Sequence, residues 1–148
     1  VAPSLSGYTF TPSTRTFNAI GADQVGDFTG VKVWSVTGTV RDLNDTGVAG
    51  VTVNVTGSAS RTGVTDADGR YEFKTIRPVP YPGRPPHLHL KLTPKTGAAL
   101  TTQLYVRGDG GPTSVFVGRD RDRLSLSLAP ATGREPGALA AEFDFVLR

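Results

Sequence analysis

The stretch His87-Leu88-His89-Leu90-Lys91-Leu92 alternates without a break, which puts His87, His89 and Lys91 on one face of an extended strand and Leu88, Leu90 and Leu92 on the other. The leucine face asks for a core to pack against. The imidazole face does not. The same period of two recurs on both sides. Val36–Val40 alternates, Val51, Val53 and Val55 share a face, and Tyr71 and Phe73 point inward from Arg70–Lys74. Leu100–Val106, Arg123–Leu128 and Ala141–Leu147 continue the pattern. Turn signals separate these segments at Asn44-Asp45-Thr46-Gly47, Asp66-Ala67-Asp68-Gly69 and Asp109-Gly110-Gly111-Pro112. Asp66–Gly69 lacks the spaced acidic positions and closing glutamate of a calcium loop, so a hairpin turn is expected there.

Composition points the same way. In 148 residues there are 18 Gly and 11 Pro, scattered rather than periodic, and no segment asks for a helix longer than a turn or two. The length suits one domain, or one domain with a short appendage. With about seven strands after Ser35, a two-sheet β-sandwich is the natural closure. The absence of Cys removes disulfides, thiolate metal sites and a cysteine nucleophile together. The 16 Lys and Arg are dispersed along the chain, so no nucleic-acid partner is expected, and no apolar run is long enough to predict a membrane span. The polar, Ser/Thr/Gly-rich composition favours a secreted or cell-surface setting over a cytoplasmic one.

Residues 1–34 stand apart. Gly7–Phe17 and Asp23–Thr29 resemble the closing strands of a repeat module, and a second module is expected to begin at residue 35 and run to 148. Gly47-Val48-Ala49-Gly50-Val51 and Asp66–Phe73 are similar to the middle of carboxypeptidase regulatory-like repeats, which implies a transthyretin-like (prealbumin-like) sandwich.

The chemistry is concentrated in Thr75-Ile-Arg-Pro-Val-Pro-Tyr-Pro-Gly-Arg-Pro-Pro-His-Leu-His-Leu-Lys91. Two His at i and i+2 on a strand point the same way and can grip one metal ion. Without further context two solvated surface imidazoles would be the plainer expectation. Prolines at 78, 80, 82, 85 and 86 stiffen the preceding connection and lower the entropy cost of returning Tyr81 to the His pair. This segment resembles the iron-binding segment of intradiol ring-cleavage dioxygenases, where a Pro-bracketed Tyr is followed by Arg and then by His-x-His. Leu100–Asp109 looks like the family strand that carries an active-site glutamine, and Glu142–Leu147 like its last strand. The resemblance runs from Gly69 to Leu147.

That resemblance implies a non-haem Fe(III) site with Tyr81, His87 and His89 as ligands, and Arg84 and Gln103 as catalytic residues. It implies a catechol-type aromatic substrate and dioxygen as partners, ring opening to a cis,cis-muconate, and a homodimer as an option. A ferric ion is hard and prefers anionic oxygen, so a phenolate beside neutral imidazoles suits it. The family uses two Tyr and two His, and its first Tyr comes from a connection that corresponds here to Val53–Thr62, which has no Tyr. Of the remaining tyrosines, Tyr8 lies in the N-terminal appendage. Tyr71 and Tyr105 sit in alternating strands, where packing or a hydrogen-bonded hydroxyl is the ordinary role. Water or another subunit would then complete the site. The rival expectations are a non-catalytic β-sandwich module with a vestigial site, and a metal-binding domain without turnover.

Overall fold

A computed structural model describes residues 1–5, 8–18, 21–80, 82–108, 123–132 and 138–148. The described strands are β1 (Tyr8–Thr11), β2 (Thr29–Arg41), β3 (Thr52–Thr56), β4 (Arg61–Val64), β5 (Arg70–Ile76), β6 (His87–Thr93), β7 (Leu100–Val106), β8 (Ser125–Leu126), β9 (Ala129–Pro130), β10 (Leu139–Glu142) and β11 (Phe145–Val146). They form two sheets, and no helix occurs among the described residues. The expected all-β sandwich is therefore present.

The long strand β2 organises one sheet. It pairs antiparallel with β1 over its first residues, antiparallel with β5 from Val33↔Ile76 to Thr39↔Arg70, and parallel with β10 and β11. The second sheet has the order β4-β3-β6-β7-β8. Between the sheets lie Val36 and Val40 from β2, Val53 and Val55 from β3, Tyr71 and Phe73 from β5, and Leu88, Leu90 and Leu92 from β6. The three leucines are between 0 and 1 % exposed. Burial of each such side chain contributes about 1.5–3 kcal/mol.

The Asp66–Gly69 turn is a plain hairpin. The Asp66 carboxylate accepts from the Asp68 and Arg70 amides at 2.9 and 2.8 Å, and Gly69 adopts a φ of 76° that favours glycine. The Asp109–Pro112 turn lies outside the described residues. Of the N-terminal stretch, Tyr8–Thr11 forms β1 and residues 29–34 form the start of β2. Residues 23–28 form no strand and lead into β2, which runs across positions 34 and 35.

Two expected strands are interrupted. Arg123–Leu128 contributes only Ser125–Leu126 to the second sheet before the chain crosses to the first at Ala129, although Leu126 is buried as its alternation requires. Ala141–Leu147 divides into β10 and β11 without a change of register. The cause is local. The Tyr71 hydroxyl donates to the Phe143 carbonyl at 2.5 Å, and the Asp144 carboxylate takes the Thr39 amide at 2.7 Å in place of a ladder carbonyl. Gly38 allows this approach, since a Cβ there would lie 1.8 Å from the Phe143 oxygen.

Tyr71 is only 5 % exposed, and burial, followed by the negative charges of Asp144 and Glu142, raises its pKa well above the ordinary tyrosine value. The folded protein keeps this proton at pH values above about 10, where the unfolded chain has lost it, so stability falls as pH rises there. Tyr71→Phe leaves the Phe143 carbonyl without its donor and should cost about 1–3 kcal/mol at pH 7. Urea unfolding from pH 7 to 11 should show the variant losing part of the wild-type alkaline slope.

Candidate metal and active site

Antiparallel pairing of β6 with β7 sets His87 opposite Tyr105 and His89 opposite Gln103. Directly opposed residues share a face, so four polar side chains meet on the side of the sheet turned away from the leucine core. Arg84 and Pro85, from the connection that precedes β6, reach this face. Pro78, Pro85 and Pro86 are buried, and Gly83 takes a φ of 79° that turns the chain before Arg84. His87 is buried to 4 % exposure, which removes the solvated-imidazole expectation for it, while His89 stays more open.

Hydrogen-bond chemistry fixes the direction of every contact in the cluster. Arg84 can only donate, so the Gln103 carbonyl oxygen must face its Nη2, and the same oxygen accepts from the Tyr105 hydroxyl at 2.9 Å. The Gln103 amide nitrogen is thereby turned to His89 Nδ1 at 3.4 Å. A neutral His89 then carries its proton on Nε2, which points to His87 Nε2 at 3.1 Å. His87 in turn donates from Nδ1 to the Pro85 carbonyl at 2.8 Å. His87 Nε2 is then unprotonated and accepts from His89 within the site. The pKa of His89 is lowered by burial of its inner edge first, then by His87 and by the Arg84 charge, which favours the neutral ring that this chain requires.

The donors present fit a metal ion. Two Nε2 atoms 3.1 Å apart can both reach one ion at about 2.0–2.1 Å, a usual imidazole–metal bond length. The second hydrogen bond of His87 to a backbone carbonyl is the outer-shell support such ligands use. Arg84 Nε is buried without a hydrogen-bond partner among the described residues, an unsatisfied donor that an anionic oxygen beside it would satisfy. Among the described residues there is no cluster of three His, Cys, Asp or Glu. Tyr81 lies outside the described residues.

Arg84, His87, His89 and Gln103, all singled out in the sequence, are thus brought together. What sequence reasoning missed is the part played by Tyr105, whose hydroxyl fixes the Gln103 amide. The available signal was its position two residues beyond Gln103 on the same strand face.

Residues 6–148 match the sequence family described as dioxygenase. The protocatechuate 3,4-dioxygenase beta chain of Burkholderia cepacia is 41% identical over a 98-residue alignment that covers 57% of this chain and 42% of that protein. This chain therefore spans less than half the length of that relative. Among solved structures, the dioxygenase domain of a dioxygenase carbohydrate-binding protein fusion from Streptomyces sp. SirexAA-E superposes with a TM-score of 0.64 at 30% identity, covering 78% of this chain and 79% of the other. Catechol 1,2-dioxygenase from Pseudomonas arvilla C-1 gives a TM-score of 0.65 at 26% identity, over 86% of this chain and 54% of that one. With a family match over nearly its whole length, a sandwich shared with these structures and a histidine pair on the expected strand, the chain belongs to the intradiol dioxygenase family.

Proposed function

We propose that this chain cleaves a catechol-type aromatic ring between its two hydroxylated carbons with dioxygen, using a non-haem ferric ion held by His87, His89 and the phenolate of Tyr81. The observation that carries this reading is the pair of imidazole Nε2 atoms 3.1 Å apart, one of them preset as an acceptor by the Pro85 carbonyl. The ion supplies Lewis-acid activation and a template for the catecholate.

The protein's own groups do the rest. His87 is held in one tautomer and one orientation by its Nδ1 hydrogen bond, which raises its basicity as a ligand. Arg84 places a permanent cation beside the site, where it favours negative charge developing on the substrate ring or on oxygen. Gln103, clamped by Arg84 and Tyr105, orients the substrate by hydrogen bonding. The burial of His87 limits water on that side. By its resemblance to the family, the connection that would supply the first tyrosine ligand corresponds here to the hairpin β3–β4, where Thr56 pairs opposite His89. That hairpin has no Tyr, so Tyr81 would be the phenolate this chain offers the ion, with water or a residue of another subunit filling the remaining positions.

Ferric iron added to the purified protein should give a broad visible band that shifts when catechol is added and disappears in Tyr81→Phe. A colourless protein that retains no iron would sink the reading, and a coloured protein that never consumes oxygen with catechol would reduce it to metal binding. Arg84→Gln should keep the band and lower kcat/KM by about 10²–10³-fold. In the metal-free protein, the lowered pKa of His89 means that the unfolded chain binds the extra proton first. Stability should therefore fall as pH drops below about 6.5, and His89→Gln should flatten that dependence in urea unfolding between pH 4 and 8.

A further inference from the structure

Lys91 lies on the same face of β6 as His87 and His89, two residues further along the strand. Pairing with β3 and β7 arranges that face in rows. His87 stands opposite Tyr105, His89 between Gln103 and Thr56, and Lys91 between Thr101 and Asn54. Exposure grows in the same order: His87 is buried, whereas His89, Thr56, Lys91 and Thr101 are exposed. The site is thus closed at the His87 end and open toward Lys91.

The Lys91 row presents donors. The Thr62 hydroxyl, from β4, donates to Asn54 Oδ1 at 2.8 Å, so the amide oxygen is turned to β4 and its N–H donors away from that strand. Lys91 adds an ammonium group beside them. Because β6 is a central strand, with β3 on one side and β7 on the other, this lysine does not guard an open sheet edge. A cation next to amide donors suits an anionic acceptor such as a carboxylate. The strand sets where that acceptor sits. Lys91 follows the midpoint of the histidine pair by three residues, about 10 Å at the usual rise of a strand. A carboxylate set directly on a catechol ring held at the histidines stops short of this row, and one at the end of a two-carbon chain spans the gap.

We infer that Lys91, with Asn54 beside it, determines substrate specificity: it selects catechols that carry an anionic side chain, the chain running along β6 through the open side of the site. The inference rests on the dioxygenase reading and narrows its substrate class. It gives a part to the one charged side chain that the alternation of β6 places on the imidazole face.

The test compares 3-(3,4-dihydroxyphenyl)propanoate with its uncharged amide on the full-length, iron-loaded protein. Wild type should favour the propanoate in kcat/KM by about fivefold, the upper range for an exposed ion pair, and the ratio should fall as salt is raised. Without dioxygen, the same ratio should separate the midpoints at which the two ligands shift the visible band. Lys91→Gln should bring the ratio to about one and Lys91→Glu should invert it. Lys74→Gln, which removes an equal charge from the exposed face of β5 in the other sheet, should keep the wild-type ratio. 3,4-Dihydroxybenzoate, with its carboxylate on the ring, should respond to Lys91→Glu less than the propanoate does. Cleavage of catechol with no preference between propanoate and amide, a ratio that Lys91→Glu leaves unchanged, or a benzoate response as large as that of the propanoate would overturn the inference and leave the dioxygenase reading standing. A protein that cleaves no catechol would remove both.

Discussion

The register between β6 and β7 is the constraint on which both the core and the site depend. A slip of one residue along its partner exchanges the two faces of a strand, and would carry Leu88, Leu90 and Leu92 to the face of the imidazoles. Packing of those leucines against Val36, Val40, Tyr71 and Phe73 from the opposite sheet forbids this. The same burial that holds the sandwich together therefore fixes His87 against Tyr105 and His89 against Gln103. The placement of the site strand residues thus follows from apolar contacts on the other side of the sheet.

The polar cluster adds directionality to this placement. Its hydrogen bonds run one way, from Gln103 through His89 and His87 to the Pro85 carbonyl, because Arg84 at one end has only donors and the backbone carbonyl at the other has only lone pairs. Ligation through His89 Nε2 requires its proton to move to Nδ1, and Gln103 must then present its oxygen there instead of its nitrogen. Arg84 and Tyr105 compete for that oxygen. A change of tautomer at His89 would in this way be one rearrangement with the hydrogen bonds of Arg84 and Tyr105.

Much of this was legible in the sequence, and the physical reason is periodicity. Alternation at Val51–Val55, Arg70–Lys74 and His87–Leu92 reports a face buried on one side only, and those strands occur where the pattern lies. Arg84 and Gln103 were found through the flanking motif, since nothing in their own spacing places them together. Three features were not legible. The split between β10 and β11 arises from Tyr71 and Gly38, which are distant in sequence from Phe143. The short course of β8 reflects a crossover between sheets, which leaves the apolar alternation at Leu124, Leu126 and Leu128 intact. The part played by Tyr105 depends on amide orientation, which no residue pattern encodes.

The pairing of β2 with β10 and β11 has a further consequence for how the chain acquires its structure. The contact between Thr39 and Asp144 joins residues 105 positions apart, and until residues 139–146 have been made one side of β2 displays unsatisfied amides and carbonyls. During synthesis β5 can cover only the other side. The nascent chain thus passes through a long interval with an open strand in its largest sheet, and topology of this kind folds slowly and is exposed to pairing with neighbouring chains. The charged residues Lys32 and Arg41 and the glycines at positions 30 and 38 make β2 a poor template for such pairing.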